Sequence, residues 1–177
     1  MKNYATTMPT LFLDFDGVLY ADPVYIDRLT GFPVLAEEFG TLFEWAPILE
    51  DILLRHPKVE VVLSTSWASH FDCETARNNL PSFTASRVVD CVWRKDEWPV
   101  HCITPKHFYQ LYRFEQIEQY VRRKNLTNWV ALDNDARGWP KDQLARLVKT
   151  EDMTGLSTER AQADLLAKLK QIVALGK

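Results

Sequence analysis

Three short apolar runs in this chain stop abruptly in oxygen-bearing side chains. Thr10 to Phe15 runs into Asp14 and Asp16, Val59 to Thr65 into Ser64, Thr65 and Ser66, and Trp129 to Asp133 into Asp133, Asn134 and Asp135. Runs of this length, bounded by polar residues, read as buried strands with polar tips. Arg87 to Trp93 and Arg146 to Thr150 bring the strand count to about five, an ordinary sheet. Between the strands the apolar spacing changes to i, i+3, i+4. Trp45, Ile48, Leu49, Ile52 and Leu53 form one helical stripe, stopped by His56-Pro57. Phe114, Ile117, Tyr120 and Val121 form a second; Ala161, Leu165, Leu169, Ile172 and Val173 form a third, with Ser157 as the expected N-cap.

Strands that alternate with helices predict an α/β fold, because parallel pairs need crossovers and the crossover helices bury the sheet. The expectation is a three-layer, doubly wound, mainly parallel sheet. Its 177 residues, 46% hydrophobic and 25% charged, suffice for one domain with a core and are too few for two ordinary ones. Residues 1–9 read as a tail and 10–177 as a single domain, with short insertions at about 19–41 and 93–112. In such sheets ligands bind outside the carboxyl ends of the strands, where the polar tips converge.

Net charge is −3, which gives no overall electrostatic attraction to nucleic acid or to an anionic membrane. No apolar run approaches the roughly 20 residues that cross a bilayer. Cys73, Cys91 and Cys102 are far apart and form no C-x-x-C pair, so they are expected to be reduced thiols, and the expected compartment is cytoplasmic.

The first polar tip, Asp14-Phe15-Asp16-Gly17-Val18, sets two carboxylates one residue apart before a glycine. Their repulsion is relieved by a divalent cation. Mg²⁺, which takes hard oxygen ligands and keeps several waters, is the expected one. Asp14 can then serve as ligand and as nucleophile toward phosphorus, forming an aspartyl-phosphate, and Asp16 as ligand and general acid and base.

These residues resemble the first motif of the haloacid dehalogenase (HAD) superfamily of phosphohydrolases. The resemblance implies three further motifs, found here in order. Val61-Val62-Leu63-Ser64-Thr65-Ser66 is similar to the second, with Thr65 the preferred phosphate-binding hydroxyl and Ser66 beside it. Arg113 stands where the third places a phosphate-binding cation, with Lys106 and then Lys95 as alternatives. Ala131-Leu132-Asp133-Asn134-Asp135 is similar to the fourth, so Asp133 and Asn134 would complete the metal shell, with Asp135 as the alternative ligand. Within the superfamily the chain resembles the HAD domain of Swiss army knife RNA-repair proteins through Leu132-Asp133-Asn134-Asp135, Gly138-Trp139-Pro140, Thr150 and Gly155-Leu156-Ser157.

The resemblance implies a Mg²⁺-dependent phosphatase acting on nucleic-acid or nucleotide phosphate ends. Both insertions are shorter than a folded cap domain, which implies an open cleft and a bulky substrate. Trp93 to Arg113 mixes aromatic and basic residues; stacking on bases is one reading, and anchoring of the loop by its aromatics is the other. A different class of function, a regulatory module that holds Mg²⁺ or accepts a phosphoryl group without turnover, uses the same acids. Asp16 favours hydrolysis, since a phospho-accepting receiver has no acid at that spacing. Hydrolysis of a carbon–halogen bond is disfavoured by the same residue. The chain has no G-x-S-x-G elbow, Walker loop or G-x-G-x-x-G turn, which argues against a serine hydrolase, a nucleoside-triphosphatase or a nicotinamide enzyme.

Overall fold

The computed structural model describes residues 8–93 and 111–175. A five-stranded parallel sheet is built from β1 (Thr10–Leu13), β4 (Glu60–Leu63), β5 (Val88–Cys91), β6 (Trp129–Asp133) and β7 (Leu147–Lys149) in the order β5-β4-β1-β6-β7. β1 is central, in register with β4 on one side (Leu13 opposite Leu63) and β6 on the other (Leu13 opposite Leu132). The winding reverses at β1, so the crevice beside its carboxyl end is the position where such sheets bind ligands.

Alternation along the strands sorts the core onto two faces. Leu11, Leu13, Val61, Leu63 and Leu132 point toward α1 (Ala46–Leu54) and α6 (Glu159–Leu175), where Leu49, Leu53, Leu165 and Leu169 are buried against them. Phe12, Val62, Trp129 and Ala131 point the other way, onto Phe114, Ile117 and Tyr120 of α5 (Arg113–Lys124). Phe12 meets the edges of Tyr120 and Trp129 with ring centroids 5.6 and 5.5 Å apart, the tilted geometry aromatic pairs prefer. The expected three-layer α/β arrangement is therefore present, and its main sheet is parallel throughout.

Three local expectations change. Ser157 lies in a short 3-10 turn and its hydroxyl donates to the Thr154 carbonyl, while Thr158 caps α6 by accepting from the Ala161 N–H. Residues 19–41 contain a two-stranded hairpin, β2 (Tyr25–Ile26) and β3 (Pro33–Val34), closed by Asp27, whose carboxylate accepts from the Leu29 and Thr30 N–H groups. Cys73 and Cys91 are joined in a disulfide, with Cα atoms 5.9 Å apart, so the expectation of free thiols fails for these two. The reason is tertiary: α3 (Cys73–Asn78) packs on β5, as does α4 (Ser82–Arg87), and spacing along the chain carries no sign of the first contact. Cys102 lies outside the described residues, as do Lys95 and Lys106 and most of the 93–112 insertion.

Candidate active site

The site follows from strand parity. Asp14 and Asp133 each come two residues after an inward-facing residue, Phe12 and Ala131, so both carboxylates emerge on the α5 side. Arg113, the first residue of α5, meets them there. Its Nη2 donates to Asp14 Oδ2 at 3.2 Å and its Nε to Asp133 Oδ2 at 3.1 Å, while Nη1 donates to Gln116 Oε1. The remaining oxygens are pinned by backbone: Asp14 Oδ1 accepts from Phe15 N–H and Asp133 Oδ1 from Asp135 N–H, both at 2.8 Å.

Asp14 and Asp133 are almost fully buried, and burial pushes both carboxyl pKa values above the ordinary range. Arg113 opposes the shift in both, while Asp133 and Asp16 add to it at Asp14. Burial alone would lower the Arg113 pKa, but the surrounding carboxylates outweigh it and hold the guanidinium charged.

Asp16 forms a second cluster beside the first. Its Oδ1 accepts from the Tyr20 hydroxyl at 2.8 Å and its Oδ2 from the Ser66 hydroxyl at 3.2 Å. Burial, and then the charge of Asp16, push the Tyr20 phenol far up, so it remains a donor. Tyr20 was not a sequence candidate; its place four residues after Asp16, on the turn that Gly17 opens at φ +65°, is visible only in the fold.

The three hydroxyls after β4 differ in their partners. Ser66 is engaged with Asp16. Thr65 is buried and its Oγ1 accepts from Trp67 N–H at 3.3 Å, which leaves its own proton available to donate. Ser64 extends the ladder, its N–H donating to the Leu13 carbonyl, and its buried Oγ has no partner among the described residues.

Asn134 lies outside both hydrogen-bonded clusters, packed over Gly17, with Nδ2 donating to Asp152 Oδ1 at 3.1 Å. The Asp135 carboxylate is held by a fork from Arg137 and lies below its ordinary pKa for that reason, so its contribution to the acid cluster is its backbone N–H. The C-terminal motif acts here as a brace. Thr150 donates its hydroxyl to the Gly17 carbonyl at 2.8 Å, Leu156 N–H bonds the Val18 carbonyl, and Asp22 N–H bonds the Asp152 carbonyl. Gly155 is required by its close approach: a Cβ there would lie 2.5 Å from the Val18 carbonyl oxygen.

The donor chemistry suits Mg²⁺. Asp14, Asp16 and Asp133 supply hard carboxylate oxygens, and among the described residues the cation bonded to Asp14 and Asp133 is the Arg113 guanidinium, so the acids outnumber their cationic partner, a setting a dication suits. Among the described residues no three His, Cys, Asp or Glu side chains gather tightly enough to enclose an ion. Mg²⁺ tolerates this, because it fills much of its octahedral shell with water and needs only one or two carboxylates.

Residues 10–161 match a family described as the HAD domain in Swiss Army Knife RNA repair proteins. No curated protein and no solved structure matches the chain.

Proposed function

The chain belongs to the HAD domain family of Swiss Army Knife RNA repair proteins, and on that premise we propose that it is a Mg²⁺-dependent phosphatase acting through an aspartyl-phosphate on nucleotide or nucleic-acid phosphate ends. Family membership makes phosphatase-type hydrolysis the general chemistry. The observation that carries the finer reading is Arg113 bridging Asp14 and Asp133 within electrostatic reach of Asp16.

In this reading Asp14 attacks phosphorus as the ester oxygen leaves, and Asp16 delivers a proton to that oxygen. Asp16 then takes a proton from the water that hydrolyses the aspartyl-phosphate, which releases phosphate and restores Asp14. Arg113 neutralises charge on the phosphoryl oxygens, helped by hydroxyl donation from Thr65, with Ser66 orienting Asp16. Asp14, Asp16 and Asp133 would hold Mg²⁺, with Asn134 at the edge of the set; when bound it supplies charge neutralisation for the transferring phosphoryl group.

Hydrolysis of 4-nitrophenyl phosphate tests the assignment. Activity is expected with Mg²⁺, lost on chelation with EDTA, restored by Mg²⁺, and at background in Asp14→Asn with an unchanged circular dichroism spectrum. Turnover by Asp14→Asn would overturn the nucleophile. A wild-type protein that accepts phosphate from acetyl phosphate and retains it would support the phospho-accepting module instead.

A further inference from the structure

A cleft of about 290 Å³ opens beside Asp16, between the β2–β3 hairpin and α2 (Trp67–His70). We propose that it is the leaving-group subsite and that it takes a nucleoside carrying no phosphate beyond the one being hydrolysed. The inference rests on the phosphatase reading, because the group that Asp16 protonates must lie against Asp16, and Asp16 lines this cleft while Asp14 does not.

The chemistry of the walls changes along the cleft. Next to Asp16 lie Ser66, hydrogen-bonded to it, and Asp22, whose carboxyl is pushed up by burial and by the Asp16 charge. Apart from His70, the other lining residues are apolar. Trp67 and Phe71 form one side, with ring centroids 5.7 Å apart, and Ile26 and Pro33 of the hairpin form the other. Phe32 stacks on Phe71 at 5.3 Å with the planes 13° apart, which carries the aromatic wall to the surface and ties the hairpin to α2. Phe32 and Ile26 remain 53% and 52% exposed, so a flat apolar group entering there would bury surface that the protein itself leaves in water.

This order suits a ribose next to the reacting oxygen and a base beyond it. Hydroxyls of the sugar would meet Asp22 and Ser66, and the base would lie against Trp67 and Phe71. Charge narrows the class further. The described residues lining the cleft set two carboxylates, Asp16 and Asp22, against one imidazole, His70, and include no lysine or arginine, so a second phosphate on the leaving group has no permanent cation to meet there. The volume lies near the lower bound of small-molecule sites, roughly 300 Å³, a size that suits one nucleoside.

The test compares kcat/KM for adenosine 5′- and 3′-monophosphate, ribose 5-phosphate, adenosine 3′,5′-bisphosphate and a phosphotyrosyl peptide. At least one adenosine monophosphate is expected to exceed ribose 5-phosphate by about tenfold or more, as one stacked base contributes, and to exceed the bisphosphate and the peptide. Phe71→Ala, and independently Ile26→Ala on the exposed hairpin, should collapse the preference for the base. A preference for the bisphosphate or the peptide, or equal use of ribose 5-phosphate, would overturn the proposal. Calorimetric binding of adenosine to Asp14→Asn separates the two claims. If no ester is hydrolysed but adenosine binds and Ile26→Ala weakens it, the phosphatase reading has failed and the subsite stands. Hydrolysis without any base preference or adenosine binding keeps the phosphatase and removes the subsite.

Discussion

Arg113 reaches Asp14 through one nitrogen and Asp133 through another, from a side chain that is itself mostly covered. Removing one member of a buried charge set leaves the rest uncompensated, a loss of roughly 3–5 kcal/mol in other proteins. Arg113→Met is therefore expected to lower unfolding free energy by about 3 kcal/mol near neutral pH. The pH dependence has a definite sign. Asp14 and Asp133 already sit above their unfolded values, so the folded state holds more protons than the unfolded one and stability falls as pH rises through that window. Without the guanidinium the window widens upward, and the deficit of Arg113→Met should be larger at pH 8 than at pH 5. Urea titrations at the two pH values check this, and a deficit independent of pH would count against the electrostatic account.

At the scale of elements, the turn carrying Asp16 is held from a distance. Three bonds tie residues 17–22 to the segment after β7: Thr150 to Gly17, Leu156 to Val18 and Asp22 to Asp152. Thr150→Val keeps shape and volume but removes the donor, leaving a buried carbonyl with one partner fewer, an effect of about 1–2 kcal/mol. The variant should lose that much stability in chemical denaturation. Its phosphatase kcat should also fall, because the turn that aims Asp16 loses its brace; a kcat equal to wild type would mean that the bond serves the fold alone. The same contacts give a physical role to Thr150 and Gly155, which in the sequence were only a point of resemblance.

Across the whole molecule, the Cys73–Cys91 bond joins the α3 layer to edge strand β5 and closes a loop of 18 residues. Constraining an unfolded loop of this length contributes about 3 kcal/mol. Thiol reductant, or Cys73→Ser, is expected to lower the thermal midpoint by several degrees. A midpoint indifferent to reductant would show that the pair does not stabilise the fold. The bond lies on the β5 side of the sheet, whereas the acid cluster is built on β1 and β6, so Asp14, Arg113 and Asp133 do not depend on it directly.

The chain's local pattern, silent on the β2–β3 hairpin and the short helices α2, α3 and α4, was enough to anticipate the five strands of the parallel sheet, three of its helices and the polar residues at the ends of β1, β4 and β6. These follow from periodicity and burial, which act over a few residues: Thr10, Trp129 and Asp133 bound their strands where the apolar runs begin or end. The acids were legible because each stands at a strand end, where a polar side chain has a reason to follow an apolar stretch, whereas Arg113, the first residue of α5, was pointed to by the family resemblance alone. Long-range contact decided the rest. Tyr20 meets Asp16 because a turn folds back, Asp152 meets Asn134 across 18 residues, and Cys73 meets Cys91 because a helix packs on an edge strand. The cleft beside Asp16 joins residues 22–33 to 66–71, and no spacing within either segment announces the other. Such pairings carry no local signature, since their energies exist only once the sheet has brought the segments together.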